Sequence, residues 1–461
     1  MHLFRFVRSA STRVLCAVAF AGVGVCTLMA ASPADQFFGI DYDRWGWDPT
    51  SMGICIDNGD FPRCGNQTKS PLAYLGTAYL LGFLNDHGIE PRMGLRLLNA
   101  TALSLPAALL LLFQPLGRAL AAATLYFALV WATPVPLFYV PSGALEVQQG
   151  VFLGILVACS VLALQRRPAP GWPLSVATNL LVAIVLLYKD TTLPLLLGAL
   201  LLVLANRSAR AGLTGGVLAL AVRLWVPGAL LGTACQAAYN WIRYATILPS
   251  GYILDAQATS PTVAHRLEQL FWLVASPNGG LVVFWGLAVT LLAATCVLLR
   301  VRPSRAMLGY SLALVATSLV MMANVPYAFG WDAWGARYAV PFGLAFLTSS
   351  CLTLDAAAPT PAVAPRRHRM GIRRALLFAA GLIACVVAVL SLRYVAIGYQ
   401  VSPGLLFGRS LFTQPACREM LAAIEAQSPD VQGLRFFRSD TYWACARARF
   451  LTDPVTLGDA Q

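Results

Sequence analysis

Residues 14–31 read VLCAVAFAGVGVCTLMAA, and residues 32–70 continue SPADQFFGIDYDRWGWDPTSMGICIDNGDFPRCGNQTKS. The first piece is an unbroken apolar run behind Arg5, Arg8 and Arg13. The second is a polar loop with six aspartates (Asp35, Asp41, Asp43, Asp48, Asp57, Asp60) against three basic residues (Arg44, Arg63, Lys69). The apolar run is longer than the ~7–15 residues of a signal h-region, which favours an uncleaved signal anchor, although Ala30-Ala31-Ser32 offers small residues for cleavage. Either reading leaves the acidic loop on the outer side of a membrane. No nucleotide is available there, so sugar or phosphate chemistry has to draw on a lipid-carried donor.

Composition places the rest of the chain in lipid as well. It is 58% hydrophobic and 11% charged, with mean hydropathy +0.67, whereas soluble domains carry roughly 25% charged residues. The net charge of +13 does not require a nucleic-acid partner. Its arginines cluster at 5–13, 118, 166–167, 207–210, 300–305 and 366–374, the spacing expected of cytoplasmic connections under the positive-inside rule.

The expected fold is therefore an all-α polytopic membrane protein of roughly eleven spans, N-terminus in the cytoplasm and C-terminus outside. After the first span and the outer loop 32–70, a short helix from Ser70 to Asn85 is expected to lie at the outer surface. Spans follow at about 92–113, 119–139, 146–166, 173–188, 191–205, 213–240, 280–299, 307–325 and 338–353. A second outer loop occupies 241–279. Residues 1–353 make the transmembrane module, 354–374 an Ala/Pro-rich and basic cytoplasmic linker, 375–395 the last span, and 396–461 a small outer subdomain. Four of the eleven cysteines fall in outer polar stretches, where an oxidising compartment would let Cys55 pair with Cys64, and Cys417 with Cys445.

The chemistry-bearing residues collect at the outer ends of the spans. Asp41, Asp43 and Asp48 lie among Phe37, Phe38, Tyr42, Trp45 and Trp47, which could stack on a sugar ring. A carboxylate in low-dielectric surroundings near a cation can act as a general base; the alternative is an interfacial aromatic belt with solvated aspartates. Glu146 opens a span, where an acid can bind a sugar hydroxyl or a metal, or simply partner the helix dipole. Lys189 and Lys69 are the only lysines in the chain, both on the expected outer side, and Lys189-Asp190 forms a charged turn. Arg243 and Arg337, each flanked by aromatics, run against the positive-inside bias. Together with Lys189 they describe a pocket for an anion. There is no phosphate-cradling glycine loop, His-x-x-x-His or Cys-x-x-Cys.

In their order these stretches resemble the C-type (GT-C) membrane glycosyltransferases, specifically bacterial relatives of protein O-mannosyltransferases and of the aminoarabinose transferase that modifies lipid A. The landmarks are Asp48-Pro49, Asn58-Gly59-Asp60 and Lys69-Ser70-Pro71-Leu72, then Glu146 and Lys189. Tyr239-Asn240-Trp241-Ile242-Arg243-Tyr244 continues to Pro249-Ser250-Gly251-Tyr252, and Ser276-Pro277-Asn278-Gly279-Gly280-Leu281 and Gly335-Ala336-Arg337-Tyr338 with Pro341 complete the series. The resemblance implies a GT-C-like bundle, a polyprenyl-phosphate sugar donor, an acceptor hydroxyl on a glycan, lipid or protein, and inversion at the anomeric carbon.

Carried over by position, the resemblance makes Asp48 or Asp43, beside Asp41, the base. Lys189, Arg243 and Arg337 become the phosphate contacts, with Glu146, Asp190 and Tyr252 in support. The family's adjacent acidic pair is missing here; Asp41-Tyr42-Asp43 and Asp48-Pro49 compete for its place. No cofactor is assigned, and whether a divalent cation (Mg or Mn) takes part stays open. The rival classes are a flippase of lipid-linked glycans, which predicts repeat symmetry and mid-membrane charge, and a noncatalytic scaffold. No internal repeat is visible, and Arg223 is the main intramembrane charge.

Overall fold

Proline, glycine and the apolar runs divide the chain into helices. In the computed structural model the described residues are 2–31, 76–89, 91–133, 135–140, 146–165, 172–188, 215–244, 247, 262–275, 281–298, 301–303, 305–322 and 339–356, with isolated positions between 381 and 387. The helices are α1 (His2–Ala31), α2 (Thr77–Asp86), α3 (Pro91–Phe113), α4 (Leu116–Trp131), α5 (Val135–Phe138), α6 (Glu146–Gln165) and α7 (Trp172–Tyr188). They continue with α8 (Gly215–Tyr244), α9 (Val263–Ala275), α10 (Leu281–Leu298), α11 (Arg305–Met322) and α12 (Val340–Leu352). Among the described residues two stretches, Ser11–Ala30 and Met93–Phe113, are long and apolar enough to cross a membrane by length and composition; shorter apolar segments occur in α4, α6, α7, α10, α11 and α12.

Turn chemistry follows the residue types. At the end of α2 Gly88 takes φ +80°, and the Ile89 amide returns to the Leu84 carbonyl at 2.9 Å. This is a Schellman closure, in which a left-handed glycine lets the chain satisfy the last carbonyls of a helix. Leu81 and Leu84 then sit over Gly94 of α3, laying the short helix against the start of the next.

The centre of the bundle is the α6–α12 pair. Gly150-Val151-Phe152-Leu153-Gly154 carries small residues four apart, and a Cβ on Gly150 would stand 2.8 Å from the Pro341 Cα and 2.9 Å from its carbonyl oxygen. One on Gly154 would meet Thr348 and the Ala345 Cα, the latter at 3.0 Å. Position 150 thus matches 341–344 and 154 matches 345–348, so the two helices run in the same direction at backbone contact. Side chains of both helices enter two buried clusters. One includes residues of α1, α3, α4 and α10, the other residues of α7, α8 and α11.

A second parallel pair repeats the device. Gly228 and Gly232 of α8 lie against Asn179 and Ala183 of α7. Between them the pair must accommodate Pro227, inside α8. Proline has no N–H, so the Arg223 carbonyl four residues earlier loses its helical donor. Asn179 replaces it: its Nδ2 donates to the Arg223 carbonyl at 2.9 Å, and its Oδ1 accepts from the Gly228 amide at 2.7 Å. The Arg223 side chain itself is exposed.

Three features differ from the sequence expectation. α1 begins at His2 rather than at the apolar run, since arginine is a good helix former and extends the helix through Arg5, Arg8 and Arg13. The expected second outer loop starts inside α8, which reaches Tyr244, and contains α9; Leu267, Leu270, Phe271 and Val274 give that segment a helical period. A short antiparallel pair also joins β1 (Val301–Pro303) to β2 (Leu354–Ala356), with Arg302 opposite Asp355. It ties the α10–α11 turn to the exit of α12, and three-residue strands are too short to show a period of two. The outer loop, the expected span 191–205, the linker and the C-terminal subdomain lie outside the described residues.

Candidate functional site

Several large buried polar residues, among them Arg96, Asn99, Glu146, Gln148, Gln236 and Asn240, gather at one end of the bundle, while buried serines and threonines are spread along it. Arg96 and Asn99 stand three apart on α3, hence on one face, and are 5% and 0% exposed. The Arg96 guanidinium donates to the Met29 carbonyl at 2.6 Å, in the last turn of α1. Both Nδ2 hydrogens of Asn99 are used, on the Tyr139 and Val140 carbonyls at 3.1 and 3.2 Å. Its Oδ1 accepts from Gln148 Nε2 at 3.1 Å, and Gln148 Oε1 accepts from the Tyr188 hydroxyl at 2.7 Å. Each member of this network has its partner, as burial requires.

The helix directions explain the gathering. α1 and α3 are antiparallel, with Met29 near Arg96 and Gly24 against Ser104, so the C-terminus of α1 lies beside the N-terminus of α3. Gln148 brings the N-terminus of α6 to the same place, and α12 enters parallel to α6. Tyr188 adds the C-terminus of α7, and the parallel α8 brings Gln236, Tyr239 and Asn240, all buried. Gln236 Nε2 donates to Asn240 Oδ1 at 3.1 Å, and Asn240 Nδ2 donates to the Ile247 carbonyl at 3.2 Å, closing the turn after α8.

Among the expected site residues, Glu146 is the first residue of α6 and 6% exposed. It stands at the positive end of the helix dipole and two residues from Gln148, in the polar cluster's own turn. Arg243 belongs to the last turn of α8, one turn beyond Tyr239 and Asn240. Asp41, Asp43, Asp48, Lys189, Asp190, Tyr252 and Arg337 lie outside the described residues. Their attachment points do not: the acidic loop leaves α1 just after Met29, Lys189 follows Tyr188 directly, and Arg337 precedes Ala339 at the mouth of α12.

Cys55, Cys64, Cys417 and Cys445 are likewise outside the described residues. The described cysteines, Cys16, Cys26, Cys159, Cys235, Cys296 and Cys351, are free thiols. No group of three His, Cys, Asp or Glu suited to a metal ion occurs among the described residues.

Sequence reasoning missed Arg96, Asn99, Gln148, Gln149 and Gln236. A signal existed: Arg96-Leu97-Leu98-Asn99 and Gln148-Gln149 place polar residues inside apolar runs, where each must find a partner.

No protein-family model matches the sequence, and no curated protein matches it. Among solved structures there is a likeness to the crystal structure of ArnT from Cupriavidus metallidurans bound to undecaprenyl phosphate. The identity is 15%, the match covers 93% of this chain and 74% of that chain, and the TM-score is 0.47. ArnT is a GT-C aminoarabinose transferase.

Proposed function

We propose that this chain is a GT-C-type glycosyltransferase of a bacterial cytoplasmic membrane. It transfers a sugar from a polyprenyl-phosphate donor to a hydroxyl of an envelope glycan, lipid or protein on the outer face. The observation that carries the reading is the convergence at one bundle end. The C-terminus of α1, the N-termini of α3, α6 and α12, and the C-termini of α7 and α8 meet around the Arg96–Asn99–Gln148–Tyr188 network. The acidic loop, Lys189, Arg243 and Arg337 are all attached to those ends.

In the proposed reaction a first-loop aspartate, Asp48 or Asp43, takes the proton of the acceptor hydroxyl as its oxygen attacks the anomeric carbon. The carbon–oxygen bond to phosphate breaks with inversion, and polyprenyl phosphate leaves. Negative charge grows on that phosphate in the transition state, and Lys189, Arg243 and Arg337 would meet it at fixed positions. Glu146, Asp190 and Tyr252 orient the sugar and the cations. Transfer needs an oriented acceptor and a water-poor pocket, which a buried floor tied by the Arg96, Asn99, Gln148 and Tyr188 hydrogen bonds supports.

The test is transfer from radiolabelled polyprenyl-phosphate sugars in oriented vesicles, comparing wild type with Asp48→Ala, Asp43→Ala and Lys189→Ala. Transfer on the outer face that disappears with one aspartate, in a protein still inserted and folded, supports the enzyme and identifies its base. Labelled lipid that crosses the membrane with its sugar linkage intact, unaffected by all three changes, would replace the enzyme with a flippase.

A further inference from the structure

α3 contributes no residue to the reaction as proposed, yet its first turns reach, directly or through one side chain, three of the chain segments that do. Arg96 holds the last turn of α1, from which the acidic loop departs. Asn99 holds the two carbonyls that precede the turn into α6 and Glu146. Through Gln148 it also holds Tyr188, the residue before Lys189. These contacts join residues 40 to 67 positions apart in sequence.

We infer that Arg96 and Asn99 are positioning residues, a bracket on α3 that sets where the three chain segments carrying the base, the supporting acid and the lysine leave the bundle. The bracket rests on the site reading of the previous subsection for its purpose, and on the hydrogen bonds alone for its existence. Its chemistry suits the task. A carbonyl in the last turn of α1 has no helical donor and carries the negative end of the dipole, so a guanidinium is a strong partner for it. The Asn99 amide donates twice and accepts once, which fixes its plane and with it the spacing of α6 from the 139–140 turn. Tyr188 is fixed at both ends, its ring lying 5.7 Å from that of Phe152 while its hydroxyl reaches Gln148.

Amide hydrogen exchange by mass spectrometry, on the full chain in lipid nanodiscs and without any substrate, tests the bracket. Arg96→Gln is expected to accelerate exchange in 30–40, Asn99→Leu in 139–147, and Tyr188→Phe in 188–192 only. Each acceleration should be about 5- to 30-fold, the range that the loss of one or two buried hydrogen bonds produces. Tyr188→Phe removes one oxygen and keeps the ring, so it reads the bracket even if the other two fail to fold.

Unchanged exchange in these segments would overturn the inference. So would an acceleration spread evenly over α6, α7 and α12, which is what a purely structural role produces. In the transfer assay Asn99→Leu should lower kcat about 10-fold or more with the donor KM unchanged, since misplacement of catalytic groups costs rate before affinity; a raised KM at wild-type kcat would count against it. If wild type transfers no sugar at all, the proposed reaction fails while the exchange data still decide the bracket.

Discussion

Replacing Asn179 by leucine should destabilise the α7–α8 pair, and Pro227 is the reason. In wild type the Arg223 carbonyl has no helical donor, and Asn179 supplies one at 2.9 Å while taking the Gly228 amide at 2.7 Å. Leucine fills the same space and returns neither bond. Interhelical hydrogen bonds in membranes average about 0.6 kcal/mol and reach about 1.7, which for two bonds gives about 1–3 kcal/mol. Stranding a buried polar group costs about 1–3 kcal/mol, which applies to the part-buried Gly228 amide and not to the Arg223 carbonyl, whose bond lies on the exposed side. The two terms agree in size, so a loss of about 1–3 kcal/mol is expected.

The discriminating assay is a double-mutant cycle followed by denaturant or thermal unfolding in micelles. Pro227→Ala restores an N–H four residues after Arg223 and gives its carbonyl a helical partner again. Asn179→Leu should therefore cost at least 1 kcal/mol less in the Pro227→Ala background than alone. Strict additivity of the two changes would refute the idea that the asparagine serves the proline.

Other consequences are equally direct. Gly154→Val drives two methyl groups into Thr348 and the Ala345 backbone and should cost about 1–3 kcal/mol or more, visible as a lowered thermal midpoint. Gly88→Ala meets no neighbour within 4 Å but keeps φ +80°. Its cost should be purely conformational, about 1 kcal/mol, with the loosening confined to the α2–α3 turn by hydrogen exchange. Glu146→Gln separates two roles of that carboxylate. A dipole partner alone loses about 0.3–1 kcal/mol of stability and no activity, whereas a charge that supports the site lowers kcat at least 10-fold in the vesicle assay.

The apolar architecture was legible because lipid leaves the chain few choices. The apolar runs expected at 92–113, 173–188 and 280–299 are helical at Pro91–Phe113, Trp172–Tyr188 and Leu281–Leu298, and of these Met93–Phe113 is long and apolar enough to cross a membrane. Glu146 at a helix start and the Tyr239-Asn240 pair near a helix end were likewise visible, the first as an acid opening an apolar run, the second as a landmark. The network that connects them was not. Arg96 meets Met29 and Asn99 meets Gln148 across the fold, and hydrophobic period says nothing about which helix neighbours which. The parallel pairings were hidden for a related reason. In lipid, association depends on small residues and close van der Waals fit, so Gly150 and Gly154 carry information that a hydropathy profile reads as merely apolar.

The glycine seam between α6 and α12 also sets how the bundle can move. Where backbones touch, there are no long side chains to change rotamer and absorb a gradual slide, so displacement along the seam has to skip a whole helical turn, about 5.4 Å. Both buried clusters draw on this one pair of helices, and the seam acts as a detent between them. Rocking of one half against the other, which carriers use to alternate their access, would have to break it on every cycle.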